Sequence, residues 1–271
     1  MKNLAKKNFT KKNPFFSIIT VVQNDEKNIS KTIKSVQNQN FKNFEYLVID
    51  GKSTDTTLKK ILNFKKIDFV ISEKDKGIYY AMNKGLKNSK GKVILFVNSG
   101  DLITKNTLSI IYEKFKDPKI GFVFGTVRRH YVKDTILKYG FNLKKLNYNF
   151  DFATSHSTGF FLKKKFYNLV GNFDTRYKCS ADYDVYYKLF LKKKIKGAFT
   201  NKNQLIGIVS AGGFSSKFGF INSLLEETKI RLNNGQNFFI VLIVLLNNLI
   251  KRFLKVTLNF YNAKEINQKN S

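Results

Sequence analysis

Apolar residues come in short, regularly spaced runs over the first hundred residues. Four runs rich in β-branched and aromatic side chains predict buried strands, at 16–22, 44–49, 67–71 and 92–97. Between these runs the apolar positions recur every three or four residues, which predicts helices beginning near Asn28, Ser53 and Gly77. This alternation predicts an α/β fold of the Rossmann-like type, with a mostly parallel sheet flanked by helices.

The pattern changes after residue 125. Charged and β-branched residues are mixed over 126–139, as in an edge strand or a hairpin. Further strands are predicted at 157–162 and 204–210, and further helices at 181–193, 221–232 and 237–261. We therefore predict a polar extension over 1–15, a domain over 16–216 with halves 16–125 and 126–216, and C-terminal helices over 217–271.

The most unusual feature of the composition is its charge. The 271 residues include 49 Lys and Arg against 19 Asp and Glu, a formal net charge of +30. Such a charge alone suggests a nucleic-acid-binding protein. However, 44 of the basic residues are lysines dispersed along the chain, and the sequence has no recognition-helix, RNA-sheet or zinc motif. A hydrophobic content of 42% excludes a disordered polyelectrolyte.

Cysteine content and hydropathy bear on location. The single cysteine, Cys179, excludes a disulfide framework and fits a reducing compartment. Residues 1–13 are polar and lack the apolar core of a secretory signal. No stretch reaches the roughly 20 apolar residues of a spanning helix. We therefore expect a cytoplasmic protein.

Acidic residues are scarce, yet they recur where the predicted strands end. Three of the four strand-end turns, at 20–24, 50–55, 72–76 and 98–101, carry an aspartate at that position. In parallel sheets these ends share one edge, where ligands bind. The pattern predicts a divalent metal holding a phosphorylated ligand. The alternative is helix capping, which we prefer for Asp55, whereas Asp50 and Asp101 favour a site.

Several motifs resemble a known family. Residues 16–24 and 47–55 resemble the opening of family 2 inverting glycosyltransferases with the GT-A fold. Residues 72–85 and the segment Phe96-Val-Asn-Ser-Gly-Asp101 resemble the branch that makes bacterial envelope polysaccharides such as colanic acid, capsule or O-antigen. The likeness continues through 156–189 and 212–215, so it covers about residues 16–216 in the family's order.

The resemblance implies a nucleotide-diphosphate-sugar donor, a saccharide or lipid-linked acceptor, a Mg²⁺ or Mn²⁺ ion and inversion at the sugar carbon. The positions that match donor nucleotide contacts are Thr20, Val21, Asn24, Asp50, Asn83 and Asn98. Asp101 matches the metal ligand, although Asn98 replaces a carboxylate usual in that motif. Contacts to the diphosphate or the acceptor are implied at His156, Gly212 and Gly213, but an ordinary hydrogen-bonded histidine fits His156 equally well.

The resemblance assigns the catalytic base to Asp182. On a helix over 181–193, Asp182 shares the inward-looking face with Val185 and Tyr186. Asp184 points elsewhere and is expected to form a surface ion pair with Lys188 four residues on. The alternative for Asp182 is a helix N-terminal carboxylate favoured by the helix dipole.

Two questions remain open at the level of sequence. Residues 237–261 predict a basic amphipathic helix, which either lies in a membrane interface or packs on the catalytic domain. A membrane contact would place the protein peripherally on the cytoplasmic face of the inner membrane. A sugar nucleotidyltransferase is an enzymatic alternative to the glycosyltransferase. However, the sequence near the N-terminus lacks the glycine- and arginine-rich phosphate loop of that class.

Overall fold

A computed structural model describes the chain over residues 4–7, 13–131, 134–142, 157–212 and 218–269. The backbone groups into two compact units, Met1–Gly219 and Phe220–Ser271. The first unit contains two sheets with their helices, and the second consists of helices.

The larger sheet has eight strands in the order β1-β4-β3-β2-β5-β10-β7-β11. Their bounds are β1 Leu4–Lys7, β2 Phe16–Val22, β3 Phe44–Asp50, β4 Phe69–Ser72, β5 Val93–Phe96, β7 Phe122–Phe124, β10 Phe160–Lys163 and β11 Gly197–Phe199. Strands β4, β3, β2 and β5 are parallel, whereas β10 lies antiparallel between β5 and β7. The carboxyl ends of β2 to β5 therefore meet at one edge.

The hydrophobic pattern of the strands follows from their burial on both faces. All seven residues of β2 and all four of β5 are buried, which explains why these segments read as continuous apolar runs. Thr20 lies within this layer, where its hydroxyl donates to the carbonyl of Val97 at 2.7 Å. The sheet core is thus closed to water up to the strand ends.

Helices cover the sheet and connect its strands. In the first unit they are α1 Ile29–Gln37, α2 Thr57–Leu62, α3 Ile78–Asn88, α4 Thr107–Phe115, α5 Lys164–Val170 and α6 Ala181–Tyr187. The predicted helix over 181–193 is thus a short α-helix followed by a π-helical turn, Lys188–Lys192. The predicted strand over 157–162 begins with a 3₁₀ turn, Ser157–Gly159, because β10 starts only at Phe160.

A second, four-stranded sheet has the order β6-β12-β8-β9. Its strands are β6 Leu102–Ile103, β8 Thr126–His130, β9 Thr135–Lys138 and β12 Leu205–Val209. Strands β8 and β9 pair antiparallel, so the mixed segment over 126–139 is a hairpin. The predicted halves 16–125 and 126–216 both contribute strands to the eight-stranded sheet.

The second unit contains the C-terminal helices α7, Gly219–Asn233, and α8, Phe238–Lys269. The second of these extends beyond the predicted end at residue 261. In the part of the chain that the structure describes, no helix combines the length and the apolar character needed to cross a membrane.

Candidate active site

Hydrogen bonds join the loop that follows β2 to the loop that follows β3, at the carboxyl edge of the sheet. The backbone N–H of Asn24 donates to Ser53 Oγ at 2.8 Å, and the Asn24 side-chain oxygen accepts from the N–H of Thr54 at 2.7 Å. Asn24 has a φ of 51°, a left-handed conformation that asparagine tolerates better than most residues. Asn24 is exposed in the loop that follows β2.

Asp50 is fully buried at the end of β3. Its carboxylate accepts from the N–H and hydroxyl of Ser53 and, at 2.5 Å, from the hydroxyl of Ser72 at the end of β4. These bonds satisfy a buried charge, which is costly to leave unpaired. These bonds join Asp50 to the loops after β3 and β4, and its predicted contact to the donor nucleotide stays a prediction.

Thr20 and Val21 were predicted as donor contacts and are both buried in β2. The Thr20 hydroxyl lies 3.0 Å from that of Tyr46, inside the sheet layer. The carbonyl of Val21 accepts from the N–H of Ser99 at 3.3 Å, which fixes the turn after β5 against the end of β2.

The turn over 98–101 is held by hydrogen bonds to other segments, and Asp101 forms two of them. This side chain is 5% exposed. One carboxylate oxygen accepts from Thr158 Oγ1 at 2.7 Å and the other from the N–H of Ser210 at 3.1 Å. Asp101 therefore connects the turn to the segments that precede β10 and follow β12.

Within the described residues, no preassembled metal site surrounds Asp101. Both of its oxygens accept internal hydrogen bonds, and Asn98 offers only a neutral amide oxygen, so a hard cation there would need further oxygen ligands, such as the phosphates of a donor. Among the described residues, no group of three or more His, Cys, Asp or Glu side chains is placed to hold a metal. The predicted role of Asp101 as a ligand of Mg²⁺ or Mn²⁺ stays a prediction.

Asn98 has an unpaired side-chain oxygen. Its side-chain N–H₂ donates to Ser157 Oγ at 3.2 Å, but its oxygen is buried without a hydrogen-bond partner in the described part of the chain. Leaving a buried acceptor unpaired costs free energy that a ligand hydroxyl would recover. The predicted donor contact at Asn98 stays a prediction.

Asn83 has a structural role that the sequence did not indicate. Its amide donates to the carbonyl of Phe173 at 2.8 Å and accepts from the N–H of the same residue at 3.0 Å. The pair of bonds fastens α3 to the loop before α6. The side chain that was predicted to contact the nucleotide is therefore occupied within the protein.

Asp182 is the one residue of α6 that is only partly buried; the other six residues of this helix are buried. The buried hydroxyl of Tyr79, from α3, donates to Asp182 Oδ1 at 3.2 Å. Burial and the negative charge of Asp182 raise the pKa of Tyr79 well above its usual value, and they also raise the pKa of Tyr186. Tyr79 therefore stays a neutral hydrogen-bond donor, and Asp182 presents a carboxylate to solvent at the edge of the core.

The prediction for Asp184 was correct about its ion pair and wrong about its exposure. The ion pair with Lys188 is present, with a 2.6 Å separation, but Asp184 is 2% exposed and does not lie on the surface. The short α-helix passes into a π-helical turn that begins at Lys188. The lysine offsets the cost of burying that charge.

Two neighbours of the site were missed at the level of sequence. Tyr79 precedes Asn83 by one helical turn in the same motif, which is a signal that both lie on one face of α3. Asp25 accepts from the hydroxyl of Ser99 at 2.6 Å and so links the β2 loop to the turn over 98–101. Asp55 accepts from the N–H of Thr57 at 2.9 Å, as expected of a residue that caps α2.

The remaining predicted contacts are placed only in part. Gly212 is exposed after β12 with a φ of 79°, a left-handed conformation that favours glycine. His156 and Gly213 lie outside the described residues. Their predicted contacts to the diphosphate or the acceptor stay predictions.

Fold and motifs together define a GT-A-type α/β protein. The family model "Glycosyl transferase family 2" matches residues 17–226. The chain belongs to glycosyl transferase family 2, which confirms the resemblance seen in its motifs.

A curated relative and two solved structures extend this assignment. The glucosyltransferase WfgD of Escherichia coli, named as acting from UDP-Glc on α-D-GlcNAc-diphosphoundecaprenol, is 36% identical over 111 residues. The match covers 40% of this chain and 44% of WfgD, so the chain spans less than half of that relative.

Both solved structures confirm the fold. TarS of Staphylococcus aureus in complex with UDP has a TM-score of 0.64 at 19% identity, over 88% of this chain and 71% of TarS. The mannosyltransferase PcManGT of Pyrobaculum calidifontis, with GDP-Man and Mn²⁺, has a TM-score of 0.62 at 15% identity, over 86% of this chain and 68% of PcManGT.

Proposed function

We propose that the protein transfers a sugar, with inversion, from a nucleotide-diphosphate-sugar donor to a saccharide or lipid-linked acceptor in cell-envelope polysaccharide synthesis. The observation that carries the proposal is Asp182, a carboxylate that alone on its helix reaches solvent and that accepts a hydrogen bond from a buried tyrosine. Family membership and the donors named for TarS and WfgD support the substrate class.

The proposed reaction needs a base on one side of the sugar and a leaving group on the other. Asp182 accepts the proton of the acceptor hydroxyl while that oxygen attacks the anomeric carbon of the donor sugar. The bond from this carbon to the diphosphate breaks, and the nucleoside diphosphate leaves with the electron pair. Attack from the opposite face inverts the configuration. In this proposal the side-chain oxygen of Asn98, unpaired in the described part of the chain, accepts a hydrogen bond from the donor.

We route no step through Mg²⁺ or Mn²⁺, because no metal site is preassembled around Asp101 among the described residues. In this proposal Asp101 holds the turn over 98–101 in the shape that presents Asn98. The free energy of unfolding of the variant Asp101→Ala, measured in Mn²⁺ and in a chelator, tests whether Asp101 binds a metal.

Ligand-induced thermal stabilisation tests the donor class. A ligand that binds only the folded state raises its stability by about 2.7 kcal/mol at a hundredfold excess over Kd. We expect UDP or GDP to raise the melting temperature and a short DNA duplex to leave it unchanged. Stabilisation by DNA and by neither nucleotide would favour the nucleic-acid-binding alternative.

We also propose a peripheral contact with an anionic membrane through the second unit, on the cytoplasmic face of the inner membrane. Large apolar side chains of α8 are exposed on several sides, among them Phe239 at 70% and Ile243 at 66%. Exposed apolar surface of this extent marks an interaction site. The cations Lys251 and Arg252 follow on the same helix, and the net charge of +30 is complementary to anionic lipid.

Vesicle co-sedimentation of the full chain tests this contact. The double variant Phe239→Ser, Ile243→Ser is expected to reduce binding to phosphatidylglycerol-containing vesicles by about tenfold, because it removes two exposed apolar anchors. Asn247→Ser, a polar exchange on the same helix, serves as the control and is expected to bind like the wild type. Equal binding of all three proteins would refute the contact.

A further inference from the structure

Helix α3 provides a fixed frame beside the proposed base. Its buried residues are Tyr79, Ala81, Met82, Gly85 and Leu86. Gly85 lies so close to β2 that an added Cβ atom would come within 2.5 Å of the Ile19 side chain. Lys84 also forms an ion pair, at 2.7 Å, with Asp75 of the turn after β4. The position of α3 is therefore fixed by the sheet and by the turn that precedes the helix.

The proposed base follows a segment without regular secondary structure. Residues 171–180 connect α5 to α6 and contain neither helix nor strand. Helix α6 has only seven residues, and Asp182 is the second of them. A segment without a backbone ladder takes its position from side-chain contacts and turns. The contacts that hold 171–180 therefore help to decide where Asp182 lies.

Asn83 of α3 holds this segment at Phe173. Its amide donates to the carbonyl of Phe173 at 2.8 Å and accepts from the N–H of the same residue at 3.0 Å. An asparagine amide offers a donor and an acceptor side by side, so a single side chain satisfies both backbone groups. Phe173 is 6% exposed, and leaving its polar backbone groups unpaired would cost free energy.

The ring of Phe173 continues the connection to the base. It stacks on the ring of Tyr79 with a centroid distance of 5.5 Å. The hydroxyl of Tyr79 donates to Asp182 Oδ1 at 3.2 Å. Tyr79 and Asn83 are four residues apart on α3, so one face of this helix contacts both the segment 171–180 and the carboxylate.

We propose that Asn83 and Phe173 are positioning residues for the base. Asn83 fixes the backbone of Phe173, and the Phe173 ring keeps the hydroxyl of Tyr79 at Asp182. Both residues act through Tyr79 and Asp182 and not on the reacting atoms. The role rests on the proposed function, since it presupposes that Asp182 is the base. A positioning role affects turnover at saturating donor, whereas a nucleotide contact at Asn83 would affect donor affinity.

Hydrolysis of nucleotide sugars by the full chain tests this role. The probes are UDP-, GDP- and dTDP-hexoses, with water as the acceptor. Water attacks the anomeric carbon and gives a proton to Asp182, and the nucleoside diphosphate leaves with the electron pair. Calorimetry with the matching nucleoside diphosphate gives the donor Kd of each variant.

Asn83→Ala is expected to lower kcat roughly 10- to 100-fold, the effect of displacing a reacting group by about 1 Å, and to change the donor Kd by less than about twofold. Phe173→Leu keeps the backbone groups that Asn83 binds and removes the aromatic ring. The same division between kcat and Kd is expected for it. Retained donor binding shows that each variant is folded.

A double-variant cycle tests whether Asn83 acts through Tyr79. Tyr79→Phe removes the hydroxyl at Asp182, so adding Asn83→Ala to it is expected to lower kcat by less than about threefold further. Asn88→Ala is the matched control. Asn88 is also a partly buried asparagine of α3, but it donates to the carbonyl of Lys84 within its own helix, at 2.9 Å. This control is expected to keep the kcat of the wild type.

Three results would overturn the positioning role. They are a wild-type kcat in Asn83→Ala, a loss of donor affinity that accounts for its lower activity, and independent, multiplicative effects of Asn83→Ala and Tyr79→Phe on kcat. A wild-type protein that hydrolyses none of the nucleotide sugars and binds none of the nucleoside diphosphates would instead refute the proposed function, and the positioning role would fall with it.

Discussion

The substitution Asp182→Asn is expected to lower kcat by about 10³-fold while the Kd for the donor nucleotide changes little. The amide keeps the size of the side chain but cannot accept the acceptor's proton, and general-base catalysis contributes about 10²- to 10⁴-fold. Turnover is measured with the nucleotide sugar that stabilises the protein, and donor binding by calorimetry. Wild-type turnover in this variant would exclude Asp182 as the base.

Tyr79→Phe is the companion variant for this prediction. It keeps the ring that stacks on Phe173 and removes the hydroxyl that donates to Asp182. A hydrogen bond to a carboxylate favours the charged form, so its loss raises the pKa of Asp182. The acidic limb of the pH profile of kcat/KM then moves to higher pH. Tyr167 of α5 and Tyr186 of α6 itself also interact electrostatically with Asp182, and both keep their hydroxyls in this variant.

Asp101→Ala is expected to lower the free energy of unfolding by about 3 kcal/mol, because two buried hydrogen bonds to a charged group are lost. The loss should be the same in Mn²⁺ and in a chelator, since the carboxylate binds Thr158 and Ser210 in the protein itself. Urea denaturation of the full chain in both buffers provides the measurement.

Asp117→Ala is the matched control for this variant. Its carboxylate is exposed and accepts only a local bond from Lys119 among the described contacts, so stability should change by less than about 0.5 kcal/mol. If Mn²⁺ stabilised the wild type and failed to stabilise Asp101→Ala, Asp101 would be a metal ligand as its sequence motif predicted.

The sequence predicted the central parallel strands because burial leaves a local record, but β1 lies within the segment predicted as a polar extension. Strands buried on both faces read as continuous apolar runs, as β2 does, and the predicted start of α3 near Gly77 is within one residue of its observed start at Ile78. The boundary of the π-helical turn at Lys188 was not predictable, because its sequence continues the period of the helix before it.

The sequence was less informative about where the polar side chains of the site point. It placed Asp50 and Asp101 at strand ends, but their partners decide their roles. Ser210 lies 109 residues from Asp101, and no local pattern records that contact. The same holds for the 103 residues between Tyr79 and Asp182. The orientation of a carboxylate toward the ligand or toward the protein is a tertiary property.

The antiparallel insertion of β10 has a consequence for biosynthesis. Strands β7 and β11 reach the first four strands only through β10, which lies 64 residues after β5 in the chain, counted between Phe96 and Phe160. A ribosome that adds about 5–20 residues per second leaves the edge of β5 uncovered for several seconds after that strand has emerged. An open, wholly apolar strand edge is a template for pairing with other chains. The nascent polypeptide is therefore most vulnerable to misassembly, and most dependent on chaperones, during this interval of translation.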